Sequence, residues 1–274
     1  MLREHLNYED NIMESLRLLS NSGNNSCLSL PLFLPETEIL KQLLLSICDD
    51  IQWKKWINSS GKNELPPDYY NDELQLMMEV MRVDDNAHID ESTGKLINPV
   101  RERESEMIRE LRDKGIFDAF PKLENVVITA KTKLPTEEDH NYVFYRDNFI
   151  RVIEKHKEKI PLYLQNHPGY KIVFFIFDES SMYIKLVDGC SRRSLNKKGD
   201  VAPGQAHIWW LDSTFLDAIC GSEIDFLIWA APYKKARIEE GVELKLPGVC
   251  IFDVKNLSIE AITYKERRMV SSEE

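Results

Sequence analysis

At 274 residues, with 43% hydrophobic and 30% charged side chains, the chain has the apolar content of a globular protein with one large core or two small ones. Its formal charge of -11 disfavours wholesale coating of nucleic acid, and the acidic excess lies wholly in the first half: residues 1–140 carry 16 basic and 27 acidic side chains, residues 141–274 carry 19 of each. Five scattered cysteines (Cys27, Cys48, Cys190, Cys220 and Cys250) form no CxxC or Cys/His spacing, which argues against a disulfide scaffold and structural zinc. Acids stand where a signal peptide would have its apolar core, and no apolar run nears the roughly 20 residues of a membrane span, so a cytoplasmic protein without membrane contact is expected.

Taken in chain order, residues 8–20 read as an amphipathic helix with Ile12, Leu16, Leu18 and Leu19 near one face. A second helix is expected from Glu36 to about Ile57, its core side marked by Ile39, Leu40, Leu43, Leu44, Ile47 and Ile51. Residues 74–83 alternate imperfectly; helix formers abound and Asn71 is a ready N-cap, yet the wider pattern makes the stretch a strand. Asn98-Pro99 opens a helix that carries Met107, Ile108 and Leu111 and ends near Gly115. Val126, Val127 and Ile128 centre a strand over 125–132, and residues 133–140, with Pro135 and a charge run, mark an internal boundary. Beyond it come a helix over 148–165 and strands over 171–177 and 182–187 that suggest a hairpin around Asp178-Glu179-Ser180-Ser181. A basic loop from Asp188 to Gln205, an apolar segment ending at Leu211 and a helix over 214–220 follow. Strands over 224–230, 249–253 and 258–263 and a frayed tail from Lys265 complete the chain.

The most informative stretch runs from Leu65 to Asp85. It sets Pro67-Asp68 ahead of an apolar run with a lone carboxylate, Glu79, inside it. Carboxylates are costly to bury unless paired or bound to a cation, so a Glu among Leu, Met and Val requires a partner.

The order of elements over residues 36–132, a helix, Pro67-Asp68, the run to Val83, a helix and a strand, resembles the core of the PD-(D/E)XK nucleases. In that family Pro-Asp lies on one strand and (Asp/Glu)-x-Lys on the next, and here Pro67-Asp68 precedes Glu79-Val80-Met81 at a fitting interval. The resemblance implies that Asp68 and Glu79 ligate Mg²⁺, which polarises the scissile phosphate and acidifies an attacking water. Met81 stands where the family has its Lys and cannot stabilise developing charge. Arg82, or a lysine from elsewhere, would have to supply it, and on a strand Arg82 points to the opposite face from Met81.

Other constellations carry weaker chemistry. Asp178, Asp212 and Asp253 each follow an apolar run, and acids at strand ends converge on ligands in α/β sheets or simply form turns. Arg151 and His156 match the R-x4-H spacing of the all-helical HEPN ribonucleases, but a solvated helix face fits a strand-rich chain better. Tyr69-Tyr70 and Trp209-Trp210 are able to stack on bases, and Arg192, Arg193, Lys197, Lys198, Lys234, Lys235 and Arg237 to contact phosphates, although loop charges are usually solvated. No GxGxxG, Walker A loop, nucleophile elbow or HExxH is present.

The expected fold is α/β, a mixed β-sheet flanked by helices with a restriction-endonuclease-like core in the first half. One domain over residues 1–270 is expected, the alternative being a nuclease-like lobe over 1–133 and a second lobe over 141–265. The expected function is metal-dependent phosphodiester cleavage of DNA or RNA, or a degenerate form of it, with Asp68, Glu79 and Arg82 as site residues. The alternative is a non-enzymatic module whose acidic face binds a protein partner.

Overall fold

The computed structural model describes residues 12–17, 32–33, 37–59, 67–86, 88–89, 93–94, 96–120, 130, 140–190, 203–239 and 242–273. The chain is mixed α/β. Residues 12–17 are helical, and β1 (Leu32–Phe33), α1 (Glu38–Cys48), α2 (Asp50–Trp53) and β2 (Ile57–Asn58) follow. Next come β3 (Tyr69–Asn71), β4 (Leu76–Val83), β5 (His88–Ile89), β6 (Leu96–Ile97), α3 (Pro99–Asp113) and α4 (Ile116–Ala119). The second half contributes α5 (Tyr142–Lys157), α6 (Ile160–Asn166), β7 (Lys171–Asp178), β8 (Tyr183–Leu186), β9 (Gly204–Ala206) and α7 (Ser213–Ile219). Strands β10 (Phe226–Ala230), β11 (Lys235–Glu239), β12 (Val242–Lys245), β13 (Val249–Asp253) and β14 (Met269–Ser271) end it. Among the described residues no helix is long and apolar enough to cross a membrane.

The main sheet has the order β1-β13-β10-β7-β4-β3-β2, so strands from both sides of residues 133–140 share it. Its centre, β4, β7 and β10, is parallel, while β2, β3 and β4 form an antiparallel meander and β13 runs antiparallel to β10. Continuous apolar runs such as Ile172 to Phe177 form such strands because both faces are covered. On one face Met77, Met81, Phe174, Ile176, Leu227 and Trp229 pack against α5, α6 and α7. On the other, Leu76, Met78, Val80, Phe175 and Ile228 pack against Ile12, Met13, Leu16 and α1. Helix α1 fits there because Leu40, Leu43, Leu44 and Ile47 form one buried stripe at helical spacing. Each fully buried side chain of this size contributes about 1.5–3 kcal/mol. Three layers result.

Strand β4 occupies the stretch whose helix-forming residues competed with its pattern. Asn71 does accept the N–H of Leu74, at 3.1 Å, but it closes a turn over residues 72–75 rather than opening a helix. Burial of both strand faces outweighs helix propensity here. Several expectations need correction. The helix expected to Ile57 stops at Cys48, because the Asp49 side chain takes the N–H groups of Ile51 and Gln52 and restarts the chain as α2. The helix expected at 148–165 begins earlier, at Tyr142 after the Asn141 cap, and ends at Lys157 before α6. Strand β8 does not pair with β7; it joins β9 and β14 in a separate sheet. Ile208 to Leu211 is no strand: Trp209–Leu211 form a 3₁₀ turn. Residues 258–263 make only an isolated bridge at Ile262, and the tail forms β14, with Met269 and Val270 buried. Helix α3 buries none of its residues. The strand expected over 125–132 falls almost wholly outside the described residues.

Candidate functional site

Glu79 lies mid-strand in β4, between Met77 and Met81 on the face covered by α5 and α6, and is only 3% exposed. Its Oε1 lies 2.5 Å from His156 Nδ1 and 3.2 Å from Lys159 Nζ. Burial alone would raise the carboxyl's pKa. The hydrogen bond from His156, the charges of His156 and Lys159 and the Tyr163 hydroxyl outweigh it and hold the group below its ordinary value. Glu79 is therefore an anion, and an ionised carboxylate only accepts hydrogen bonds, so Nδ1 of His156 carries the proton. The ring's other nitrogen, Nε2, makes no hydrogen bond among the described residues.

Helix periodicity delivers the histidine. Tyr145, Phe149 and Val152 are buried at helical spacing along α5, and His156 is the next position of that stripe, facing the sheet at the helix's last turn. Lys155, His156 and Lys157 occupy that turn, where basic groups complement the helix dipole, and Lys159 sits in the link to α6. His156 and Lys159 are partly exposed, with side-chain exposures of 16% and 37%, so the pair reaches solvent while its carboxylate does not.

The other expected site residues are placed differently. Asp68 lies just ahead of β3, and its Oδ2 accepts the N–H of Val80 at 2.7 Å, which ties the Pro-Asp turn to β4 next to Glu79. Arg82 turns away from Glu79: it pairs with Glu104, Asp84 and Glu179 at the carboxyl end of the sheet. Met81 is buried in the apolar layer. The cation beside Glu79 is Lys159. Asp68 and Glu79 as placed do not fit Mg²⁺, a hard ion that takes octahedral oxygen ligands and keeps several waters. Glu79 Oε1 already has an imidazole and an ammonium, Asp68 Oδ2 has a backbone amide, and among the described residues no group of three or more His, Cys, Asp or Glu side chains is placed to hold a metal ion.

Of the three acids expected at strand ends, Asp178 and Asp212 both lie beside His207, although Asp212 caps α7 and ends no strand. Asp178, fully buried, accepts from the Tyr145 hydroxyl at 2.7 Å, Ser180 N–H at 2.9 Å and Trp229 Nε1 at 3.0 Å, with Lys234 Nζ at 3.2 Å. Beside it Asp85 accepts from Ser181 and the Tyr183 hydroxyl and faces His140, and these bonds hold its pKa down against burial. Asp212 accepts from the Tyr142 hydroxyl at 2.5 Å and lies 2.8 Å from His207 Nε2, whose ring packs edge-on to Tyr145. Asp253 is elsewhere, paired in register with Phe226 at the opposite end of β10 and bonded to Asn256. Lys234, expected in a solvated loop, is 5% exposed inside this network. Trp209 stacks on Trp229 at 3.9 Å within the core, which removes it from base stacking. Arg192, Arg193, Lys197 and Lys198 lie outside the described residues.

Reading the sequence singles out Glu79 but misses His156 and Lys159 as its partners. Starting the helix at its true cap, Asn141, would have placed His156 on the buried stripe. Compared with known families, curated proteins and solved structures, the chain matches none.

Proposed function

We propose that the chain is a phosphodiesterase that cleaves RNA by general acid–base catalysis at His156, without a metal ion. The observation that supports this reading is the buried Glu79 carboxylate on Nδ1 of a histidine whose Nε2 is left to act. A carboxylate in that position fixes the tautomer, orients the ring and stabilises the imidazolium that forms when Nε2 takes a proton. Lys159, on the same carboxylate and partly exposed, is placed to meet the charge on a phosphate.

In this scheme the ribose 2′-hydroxyl is the nucleophile. Nε2 of His156 removes its proton as the bond from O2′ to phosphorus forms. The bond from phosphorus to O5′ breaks, and the imidazolium returns the proton to O5′. The products are a 2′,3′-cyclic phosphate and a 5′-hydroxyl, and DNA is not cut. Incubating labelled single-stranded RNA and DNA of one sequence with the protein in EDTA tests this. RNA products ending in 2′,3′-cyclic phosphate, abolished by His156→Ala, are expected; cleavage that needs added Mg²⁺, or that His156→Ala leaves intact, overturns it.

A further inference from the structure

Beside the Glu79 centre lies an aromatic group that the catalytic reading does not use. Tyr70 stands opposite Met77, two residues before Glu79 and on the same sheet face. Its ring lies 4.6 Å from that of His167, and His167 lies 5.2 Å from Tyr170. All three are partly exposed. The Tyr170 hydroxyl donates to Asp72 at 2.6 Å, which fixes that ring in place before any ligand arrives. Helix α6 leads from Lys159 to His167, and eight residues at the helical rise put the aromatic group roughly 12 Å from the cation, a span of a few nucleotides.

From this juxtaposition, and resting on the RNA-cleavage reading, we infer that Tyr70, His167 and Tyr170 form a base-stacking platform that holds a single-stranded nucleic acid leading into the His156 centre. Aromatic rings accept any base on their faces, so the platform is sequence-tolerant and selects unpaired strands, whose bases are free to stack. The charges fit the division of labour. Lys159 stands at the His156 end, where the reacting phosphate lies, whereas Asp72 stands at the platform and favours base faces over phosphates there.

The test measures binding apart from cleavage. Fluorescence anisotropy in EDTA with a labelled ten-residue 2′-O-methyl oligouridylate and its deoxy counterpart, both lacking the 2′-hydroxyl that cleavage needs, is compared for wild type, His167→Ala and Tyr170→Ala, alongside cleavage of a dinucleoside monophosphate too short to reach the platform. Each substitution is expected to weaken binding of both decamers about tenfold, the loss of one stacked base, and to leave dinucleotide cleavage unchanged. Wild-type binding of the decamers that both variants retain in full overturns the platform and leaves the His156 reading standing. Absence of decamer binding by wild type also overturns the platform, and the dinucleotide result then decides the His156 reading separately. Weakened decamer binding with no cleavage of any substrate keeps the platform and removes the catalytic reading.

Discussion

Glu79 and His156 are 77 residues apart in sequence and 2.5 Å apart in space, the carboxylate sealed in the sheet and the imidazole at its border. Their union makes the anion useful, because the buried carboxylate holds Nδ1 while the ring stays partly exposed. Replacing Glu79 with Gln keeps the shape and removes the charge that holds Nδ1–H. RNA cleavage should fall about 10²–10⁴-fold with the fold retained, as expected when a histidine loses its orienting carboxylate. Initial rates alongside circular dichroism check it, and full activity in the variant would refute the role.

Lys234 is a buried ammonium held by Asp178, Ser180 and the carbonyl of Ser181. Lys234→Met leaves the Asp178 carboxylate without its counter-charge. The expected cost is about 3–5 kcal/mol, the usual penalty for stranding one member of a buried pair. Urea unfolding reads it, and a loss below 1 kcal/mol would mean that Tyr145, Ser180 and Trp229 alone satisfy the carboxylate.

Glu179 gives the protein a pH dependence near neutrality. Burial, with Glu104 and Asp84 close by, pushes its carboxyl up to about 7 against the pull of Arg82. The folded state therefore keeps a proton that the unfolded state releases above its ordinary value of 4.5, so stability falls as pH rises from about 4.5 to about 7. The loss is at most roughly 3 kcal/mol. Glu179→Gln should flatten the decline, which chemical denaturation at pH 5 and pH 7.5 measures; an unchanged slope would assign it to another group.

Leu76 begins the central strand β4 and is 3% exposed, packed on the α1 side. Leu76→Asp places an unpaired carboxylate in that layer and should cost more than about 4 kcal/mol, among the largest single-site losses. A soluble variant with an unchanged melting curve would contradict the placement of β4.

The strands that carry the core were legible because they are long and apolar on both faces: β7 from Lys171 and β10 from Phe226 lie close to where their residues put them. Pairing was not legible. After β7 the apolar run at Tyr183 reads as the return of a hairpin, but Asp178 and Ser180 are pinned inward by Tyr145, Trp229 and Lys234, and the chain leaves the sheet. Those partners come from α5, β10 and the turn before β11, and no local pattern announces them. The site divides the same way. A Glu inside an apolar strand is conspicuous by its cost, whereas a His in a basic helix end looks solvated until the whole helix is drawn from Asn141.

The parallel centre of the sheet also sets an order of events during synthesis. Strand β4 can close its meander with β2 and β3 as soon as it emerges, but its other edge, from Leu76 to Val83, pairs only with β7. Until Asp178 has left the ribosome that edge has no native partner, and β1 waits longer still, for Val249 and Cys250. A nascent chain of this kind holds an apolar edge open through much of its translation, the condition under which strands pair with the wrong neighbour. Slow translation between β4 and β7 should therefore lower the yield of folded protein more than an equal delay after β13.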